Sequence, residues 1–198
     1  MKANDVKNCV EQELQWLQHL PEPRQRAELA ELRRGIGHQP GELPALWGCL
    51  LEQLPENCWG KNGPSEAEWA VYLALTLCAL HQQGESGLTM NQKDHPLGQA
   101  VRQLAEATTP NGSDWTESSV LRRFNALATA DSMPEVAHHL RGMIQLLRRE
   151  KIPLDYPQLA AELYQFQFPE GAAKVRLQWG RELYRMNVEP DEKQEKEN

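Results

Sequence analysis

The sequence predicts an all-α protein of about eight to nine helices arranged in two packed helical bundles. Apolar residues recur three or four positions apart in nearly every segment of the 198-residue chain, which is the spacing of one helix face. No segment shows a convincing alternation of apolar and polar residues, the pattern expected of a half-buried strand. Pairs of residues that cap helix starts precede several of the periodic segments.

The first two helices are predicted from short apolar stripes. The first helix ends before Pro21, and its stripe contains Val6, Val10, Leu14 and Leu17. The second covers residues 24–34, with Leu29 and Leu32 facing inward. Gly35 follows it and is predicted to be the glycine that stops the helix at its C-terminus.

A third helix carries Leu46, Leu50 and Leu54 and is expected to end at Pro55. A fourth starts at a predicted capping box formed by Ser65 and Glu68. The run that follows, residues 69–80, is apolar on every face and too short to span a bilayer. It is therefore predicted to be a buried central helix.

The middle of the chain contains a candidate domain boundary. Residues 83–95 are polar and expected to be exposed, and residues 96–107 form a fifth predicted helix. The turn-rich stretch 108–114 then separates an N-terminal bundle, residues 1–112, from the rest of the chain.

The C-terminal bundle is predicted to cover residues 113–187 and to contain four helices. Ser132 with Glu135, and Asp155 with Gln158, have the spacing of capping boxes. Residues 188–198 have no apolar periodicity and are expected to be a disordered acidic tail.

Charge is divided unevenly along the chain, whose formal net charge is −7. Residues 1–121 have a net charge of −7 and residues 186–198 one of −3, whereas residues 122–185 carry 10 Lys and Arg against 7 Asp and Glu. The overall acidity argues against general coating of nucleic acid, while the basic section marks a candidate partner surface.

The chain is expected to be cytoplasmic and to bind no cofactor. The four cysteines lack zinc-site spacing and are interpreted as buried free thiols: Cys9, Cys49, Cys58 and Cys78. Neither a membrane span nor a signal peptide is evident. We also find no phosphate-binding loop or catalytic motif, and the adjacent His138 and His139 point about 100° apart on a helix, so they cannot jointly chelate one metal.

Basic residues form outward stripes on three of the predicted C-terminal helices. Arg122 and Arg123 lie away from the apolar face of their helix, and Arg141 and Arg148 are seven residues apart on the next. The last helix has a stripe of Lys174, Arg181 and Arg185. Such stripes are often only the solvated face of a helix, but stripes on antiparallel neighbours can merge into one binding surface.

Four stretches carry a resemblance to a known family. They are LAELRRG at 29–35, PLGQAVRQL at 96–104, LRRFNALATA at 121–130, and the segment 139–163, which contains the Leu-Asp-aromatic sequence Leu154-Asp155-Tyr156. Together, and in this order, they resemble CasB, the small subunit of the type I-E CRISPR effector complex Cascade. Tyr156 stands where the family often has Trp.

The resemblance implies a non-enzymatic subunit with no small-molecule substrate, cofactor, metal or membrane contact. Its implied partners are the large subunit, the repeated backbone subunits, a second copy of itself, and a DNA strand of the R-loop. The residues implied to contact DNA phosphates are Arg33, Arg34, Arg122, Arg123 and Arg141, together with Lys174, Arg176 and Arg181 on the last helix.

Two other hypotheses remain open on the residues alone. The chain could be a helical adaptor that binds only protein, with its arginines paired to acidic partner surfaces. It could also be a small helical enzyme, which would require a deep pocket containing ionisable groups with perturbed pKa values.

Overall fold

The structure is a computed structural model and describes residues 2–185. Within that range it contains nine α-helices and, apart from one isolated bridge, no strand, so the predicted all-α fold is confirmed. The helices are α1 Lys2–His19, α2 Glu22–Arg34, α3 Trp47–Leu51, α4 Glu66–His81, α5 Leu97–Thr108, α6 Ser119–Ala128, α7 Met133–Arg149, α8 Tyr156–Phe166 and α9 Pro169–Tyr184.

Helix α4 is the centre of the molecule, as its apolar sequence predicts. Every residue from Ala70 to Leu80 is buried, and only Trp69 at the start of the run is half-buried. The predicted capping box is present: the Glu68 amide donates to Ser65 Oγ at 3.1 Å, and the Ser65 amide donates to Glu68 Oε2. Helices α1, α2, α7 and α8 pack around α4.

Helix α8 connects the two ends of the chain, because it packs against α1, α4 and α9. The buried apolar side chains form one cluster that extends from Val6 in α1 to Leu183 in α9. Trp179 lies 5.5 Å from Phe166 and 5.9 Å from Phe124, measured between ring centroids, and thus joins α9 to α8 and α6. The division at residue 112 stays a prediction.

Two capping predictions are half confirmed. Ser132 Oγ accepts from the Glu135 amide, but the Glu135 carboxylate accepts from the Asp131 amide rather than from Ser132. Asp155 likewise caps α8 by accepting from the Gln158 amide at 2.9 Å, while the Gln158 side chain donates to a residue further along α8.

Gly35 directly follows the last residue of α2, so the predicted helix stop is confirmed, although its φ of −66° is right-handed. Two local predictions need correction. Helix α3 ends at Leu51, and Leu54 lies beyond it although it is buried. The segment 83–95 is exposed only in part, because Leu88 is buried and backbone hydrogen bonds join the segment to Leu154. The predicted tail, 188–198, lies outside the described residues.

Candidate nucleic-acid interface

A groove runs between the C-terminal end of α2 and helix α7, with α4 as its floor. It encloses a cavity of about 240 Å³. Tyr72, Leu73 and Leu77 of α4 line its base, while Arg141 of α7 stands at its edge. Arg141 lies there because the apolar stripe of α7 is turned to the core, which leaves this exposed arginine on the flank beside α4.

Two more arginines, Arg33 and Arg148, lie near each other at the C-terminus of α4, outside the lining of this cavity. Arg33 is half-buried, and its Nη1 donates to the carbonyl oxygen of Ala79 at 3.3 Å. Arg148 donates from Nη1 to Gln83 Oε1 at 2.8 Å. The carbonyl end of a helix carries a partial negative charge, which favours cations at this position.

The two guanidinium groups are close enough to affect each other. Burial lowers the pKa of Arg33, and the positive charge of Arg148 lowers this pKa further. Among residues 2–185, no carboxylate forms an ion pair with Arg33, Arg141 or Arg148. We call Arg33, Arg141 and Arg148 the basic groove; its charge is uncompensated by direct pairing, which suits an anionic ligand.

Arg34, which the resemblance groups with Arg33, points elsewhere. It is exposed and its Nη1 donates to both carboxylate oxygens of Glu31, at 3.0 and 2.9 Å. Adjacent helical residues differ in direction by about 100°, which explains how one arginine of the pair enters the basic groove and the other does not.

The two arginines of α6 are exposed, as the periodicity predicts. Arg122 Nη1 donates to the carbonyl oxygen of Glu117 at 3.2 Å, a contact with its own N-terminal turn. Within residues 2–185, Arg123 forms no ion pair. Both side chains therefore remain accessible on the surface of α6.

On α9, the three candidate residues have different surroundings. Lys174 and Arg181 are exposed and lie opposite the buried stripe. Arg176 instead donates from Nε to the carbonyl oxygen of Ala128, and its guanidinium lies 5.1 Å from the centroid of the Phe166 ring. Arg176 therefore connects α9 to the C-terminus of α6 and to α8, and its guanidinium is already engaged within the chain.

Arg148 is the groove residue that the resemblance does not supply. Its position could be inferred from the seven-residue spacing to Arg141, because that spacing places both on one flank of a helix about 10 Å apart. Its approach to Arg33 could not be inferred, since the two residues come from helices far apart in the chain.

Two properties of the described residues concern metal binding and thiol chemistry. Residues 2–185 contain no cluster of three or more His, Cys, Asp or Glu side chains placed to hold a metal ion. Burial raises the pKa of the Cys9 and Cys49 thiols to about 12, so these thiols stay protonated at neutral pH. No helix in the same range combines the length and hydropathy needed to cross a membrane.

Comparison with known proteins gives the family. The profile of CRISPR-associated protein Cse2 matches residues 28–184, which is most of the chain. The chain belongs to the Cse2 family. The resemblance to CasB found in the four sequence stretches is therefore confirmed, since solved CasB structures are among its matches. No curated protein sequence matched the chain.

Three solved structures of Cse2 family members or of CasB resemble this one. CasB from Thermobifida fusca is 35% identical, with a TM-score of 0.74, and the match covers 91% of this chain and 98% of that one. A Cse2 family protein from Thermus thermophilus is 28% identical, with a TM-score of 0.66 and coverage of 88% and 97%. CasB from M. ruber, 24% identical with a TM-score of 0.63 and coverage of 89% and 92%, shares the fold.

Proposed function

We propose that this Cse2 family protein is a non-catalytic subunit of a CRISPR RNA-guided effector complex and stabilises the R-loop through sequence-independent contacts to DNA phosphates. Its partners are then the large subunit, the repeated backbone subunits, a second copy of the chain and one DNA strand. The observation that carries the proposal is that Arg33 and Arg148 approach each other and that no carboxylate of residues 2–185 pairs with them or with Arg141, which lies seven residues before Arg148 on α7.

The chemistry of these groups suits phosphate better than a base edge. Each guanidinium is permanently charged and presents several N–H donors in a plane, which matches the oxygens of a phosphate. Contacts of this kind fix the position of a strand and carry no sequence information. A subunit that must hold any target sequence needs this property.

Because strand exchange in an R-loop is nearly balanced in free energy, a small amount of binding energy from this subunit is sufficient to stabilise the open state. The RNA–DNA hybrid formed in an R-loop is about as stable as the DNA duplex that it replaces. A few phosphate contacts can therefore shift the equilibrium toward the open state. The acidity of the chain as a whole, whose net charge is −7, discourages binding to unrelated nucleic acid.

Assembly is tested first. The chain should co-purify with a tagged second effector subunit and guide RNA, and native mass spectrometry should give a fixed number of copies per complex. Absence of the chain from a complex that otherwise forms would contradict its role as a subunit.

DNA contact is tested in the assembled complex with Arg141→Gln and Arg148→Gln combined. Both changes remove charge at the groove and leave the core stripe of α7 intact, so assembly should be unaffected while binding to target DNA weakens at least tenfold. The matched control is Arg24→Gln with Arg26→Gln, two exposed arginines on α2 that pair with Glu28 and Glu22. The control should bind as the wild type does.

The result also separates the protein-only adaptor from the DNA-contacting subunit. If the groove arginines serve a protein partner, the double substitution should reduce incorporation into the complex. Normal incorporation with normal DNA affinity would leave the basic groove as a solvated surface.

A further inference from the structure

A second concave site lies on the side of α2 that carries Glu28 and Glu31. Its charge is negative, opposite to that of the basic groove. A cavity of about 200 Å³ lies between α1, α2 and the region around α3. Four glutamates line it, two from α2, one from α1 and one just after α3: Glu13, Glu28, Glu31 and Glu52. No lysine, arginine or histidine of residues 2–185 belongs to its lining. We call this site the acidic pocket.

Glu13 distinguishes the acidic pocket from an ordinary acidic surface. It is 5% exposed and lines the pocket. Its carboxylate oxygens accept no hydrogen bond within residues 2–185, and they are not fully enclosed by the protein. A mostly buried carboxylate that lacks a protein donor favours a cationic partner at this position when it is ionised.

The other carboxylates are only partly compensated. Glu28 lies 3.8 Å from Arg24 and Glu31 lies 2.9 Å from Arg34, both in exposed pairs of the kind that contribute little. Within residues 2–185, Glu52 forms no ion pair. The neighbouring carboxylates also affect Glu13. Burial is the main cause that raises the pKa of the Glu13 carboxyl to about 7, and the negative charges of Glu52 and Glu28 add to the rise.

The volume of the acidic pocket and the residues of its wall indicate what kind of ligand it can bind. At about 200 Å³ the pocket is smaller than the ~300–1,000 Å³ typical of small-molecule sites, but of a size suited to one long side chain. The carboxylates are too dispersed to count as a metal cluster in the described chain. Trp16, 42% exposed, forms part of the wall, and Arg24 already lies 5.9 Å from its ring centroid.

We propose that the acidic pocket binds an arginine side chain presented by a partner protein. A guanidinium has five N–H donors in one plane and can bridge carboxylates that come from different helices, whereas a lysine ammonium is a compact point charge. It can also stack on the Trp16 ring. The acidic pocket is chemically unsuited to DNA, so this proposal does not rest on the proposed function.

The probe is a pentapeptide, acetyl-Gly-Ser-Arg-Ser-Gly-amide, added at pH 8 to the full chain labelled with 5-fluorotryptophan. The Trp16 resonance is assigned with Trp16→Phe. It should shift saturably, with a dissociation constant in the low millimolar range, which is about −4 kcal/mol or somewhat weaker. The same peptide with citrulline, which is uncharged and of nearly the same shape, should bind at least tenfold more weakly.

Glu13→Gln combined with Glu52→Gln should abolish the shift, and unchanged thermal melting or a higher Tm shows that the variant folds. The control is Glu11→Gln on the exposed side of α1, which should bind as the wild type does. The Arg141→Gln, Arg148→Gln protein should also bind normally, which separates this test from the DNA-binding proposal.

Several outcomes would overturn the proposal. Equal binding of the citrulline peptide, or retained binding by the Glu13 and Glu52 variant, would show that the carboxylates do not recognise a cation. Tighter binding of a lysine peptide would exclude arginine as the specific occupant. Binding of free arginine with exclusion of the peptide would indicate a small-molecule site, and no shift at 50 mM peptide would show that no such site exists.

Discussion

At the scale of single residues, Gly35 is a position where tertiary packing requires glycine. The local sequence indicates only that a helix stops there. A Cβ at this position would lie 2.7 Å from Tyr72 Oη and 2.9 Å from Thr76 Cγ2. Tyr72 Oη also donates to the Gly35 carbonyl oxygen at 2.8 Å. Gly35 therefore ends α2 as the sequence predicts, but the glycine is required by close contact with α4 and not by a left-handed backbone.

Gly35→Ala should lower the free energy of unfolding by about 1–3 kcal/mol, because overpacking displaces Tyr72 or the end of α2. Chemical denaturation measures the effect. The control is Gly142→Ala in α7, where an added Cβ meets nothing within 4 Å. That change should stabilise the protein by up to about 1 kcal/mol through helix propensity. Equal effects of the two substitutions would contradict the packing explanation.

Glu162 lies within α8, and its carboxyl group faces α9. The residue is buried, with 2% of its surface exposed. Its Oε1 accepts from the side-chain amides of Gln158 and Gln178, and its Oε2 accepts from Trp179 Nε1 at 2.8 Å. Burial raises the pKa of Glu162 to about 7, while the hydrogen bonds from Trp179 and Gln158 oppose this rise. Apolar periodicity could not identify this buried acid, because the residue is polar and its partners lie partly on another helix.

The raised pKa predicts a specific pH dependence. Between about pH 4.5 and pH 7 the folded state retains a proton that the unfolded state releases, so stability falls as pH rises through this window. Glu162→Gln cannot titrate, and its stability relative to wild type should increase by about 2–3 kcal/mol between pH 5 and pH 8. Glu13, whose pKa is also about 7, titrates in both proteins and therefore cancels.

Urea denaturation across this pH range provides the measurement. Glu11→Gln, at an exposed position of α1, is the control and should keep a constant difference from wild type. A constant difference for Glu162→Gln as well would mean that Glu162 is ionised throughout.

At the scale of elements, strong periodicity made the long helices predictable, and features that depend on distant contacts were missed. α4 was identified as buried because no polar face exists, and the predicted outward positions of Arg122, Arg123 and Arg141 on α6 and α7 are exposed. The depth of Leu88 was not predictable, because its segment is held by backbone hydrogen bonds to Leu154, far along the chain. The short α3 directly follows a 3-10 turn, Pro44–Leu46, which the leucine spacing does not predict.

Leu77→Asp tests the central position of α4. Leu77 is 2% exposed, so the change buries a carboxylate without a partner and should cost several kcal/mol or prevent folding. Leu177→Asp on α9, at a leucine that is 55% exposed, is the matched control and should change stability by about 0.5 kcal/mol or less. A folded Leu77→Asp protein with an unchanged melting temperature would refute the burial of α4.

At the scale of the whole molecule, the fold separates two surfaces of opposite charge. Arg33 and Arg148 meet over the C-terminus of α4, while Glu13 and Glu52 face the acidic pocket beside α1. Sequence reasoning found most of the basic candidates because stripes and family motifs are local. It could not sort them into the groove residue Arg33, the ion-paired Arg34 and the structural Arg176, since those roles depend on contacts between helices.

The central claim is that arginines of this subunit neutralise phosphates of one DNA strand in the assembled complex. Its most direct test is the salt dependence of R-loop formation after Arg122, Arg123 and Arg141 are replaced by Ala. Each contact to a single strand contributes about 0.7 to the slope of log K against log salt. If all three side chains contact phosphates, the slope should flatten by roughly 2 units, equally for every target sequence.

The control for this measurement is replacement of Arg24, Arg26 and Lys61, which are exposed and lie outside the basic groove and the α6 stripe. It removes the same charge and should leave the slope as in the wild type. Both complexes must contain the subunit in normal stoichiometry. A slope that flattens only for the Arg122, Arg123 and Arg141 variant is the result that the account predicts. An unchanged slope in that variant, within a fully assembled complex, would contradict it.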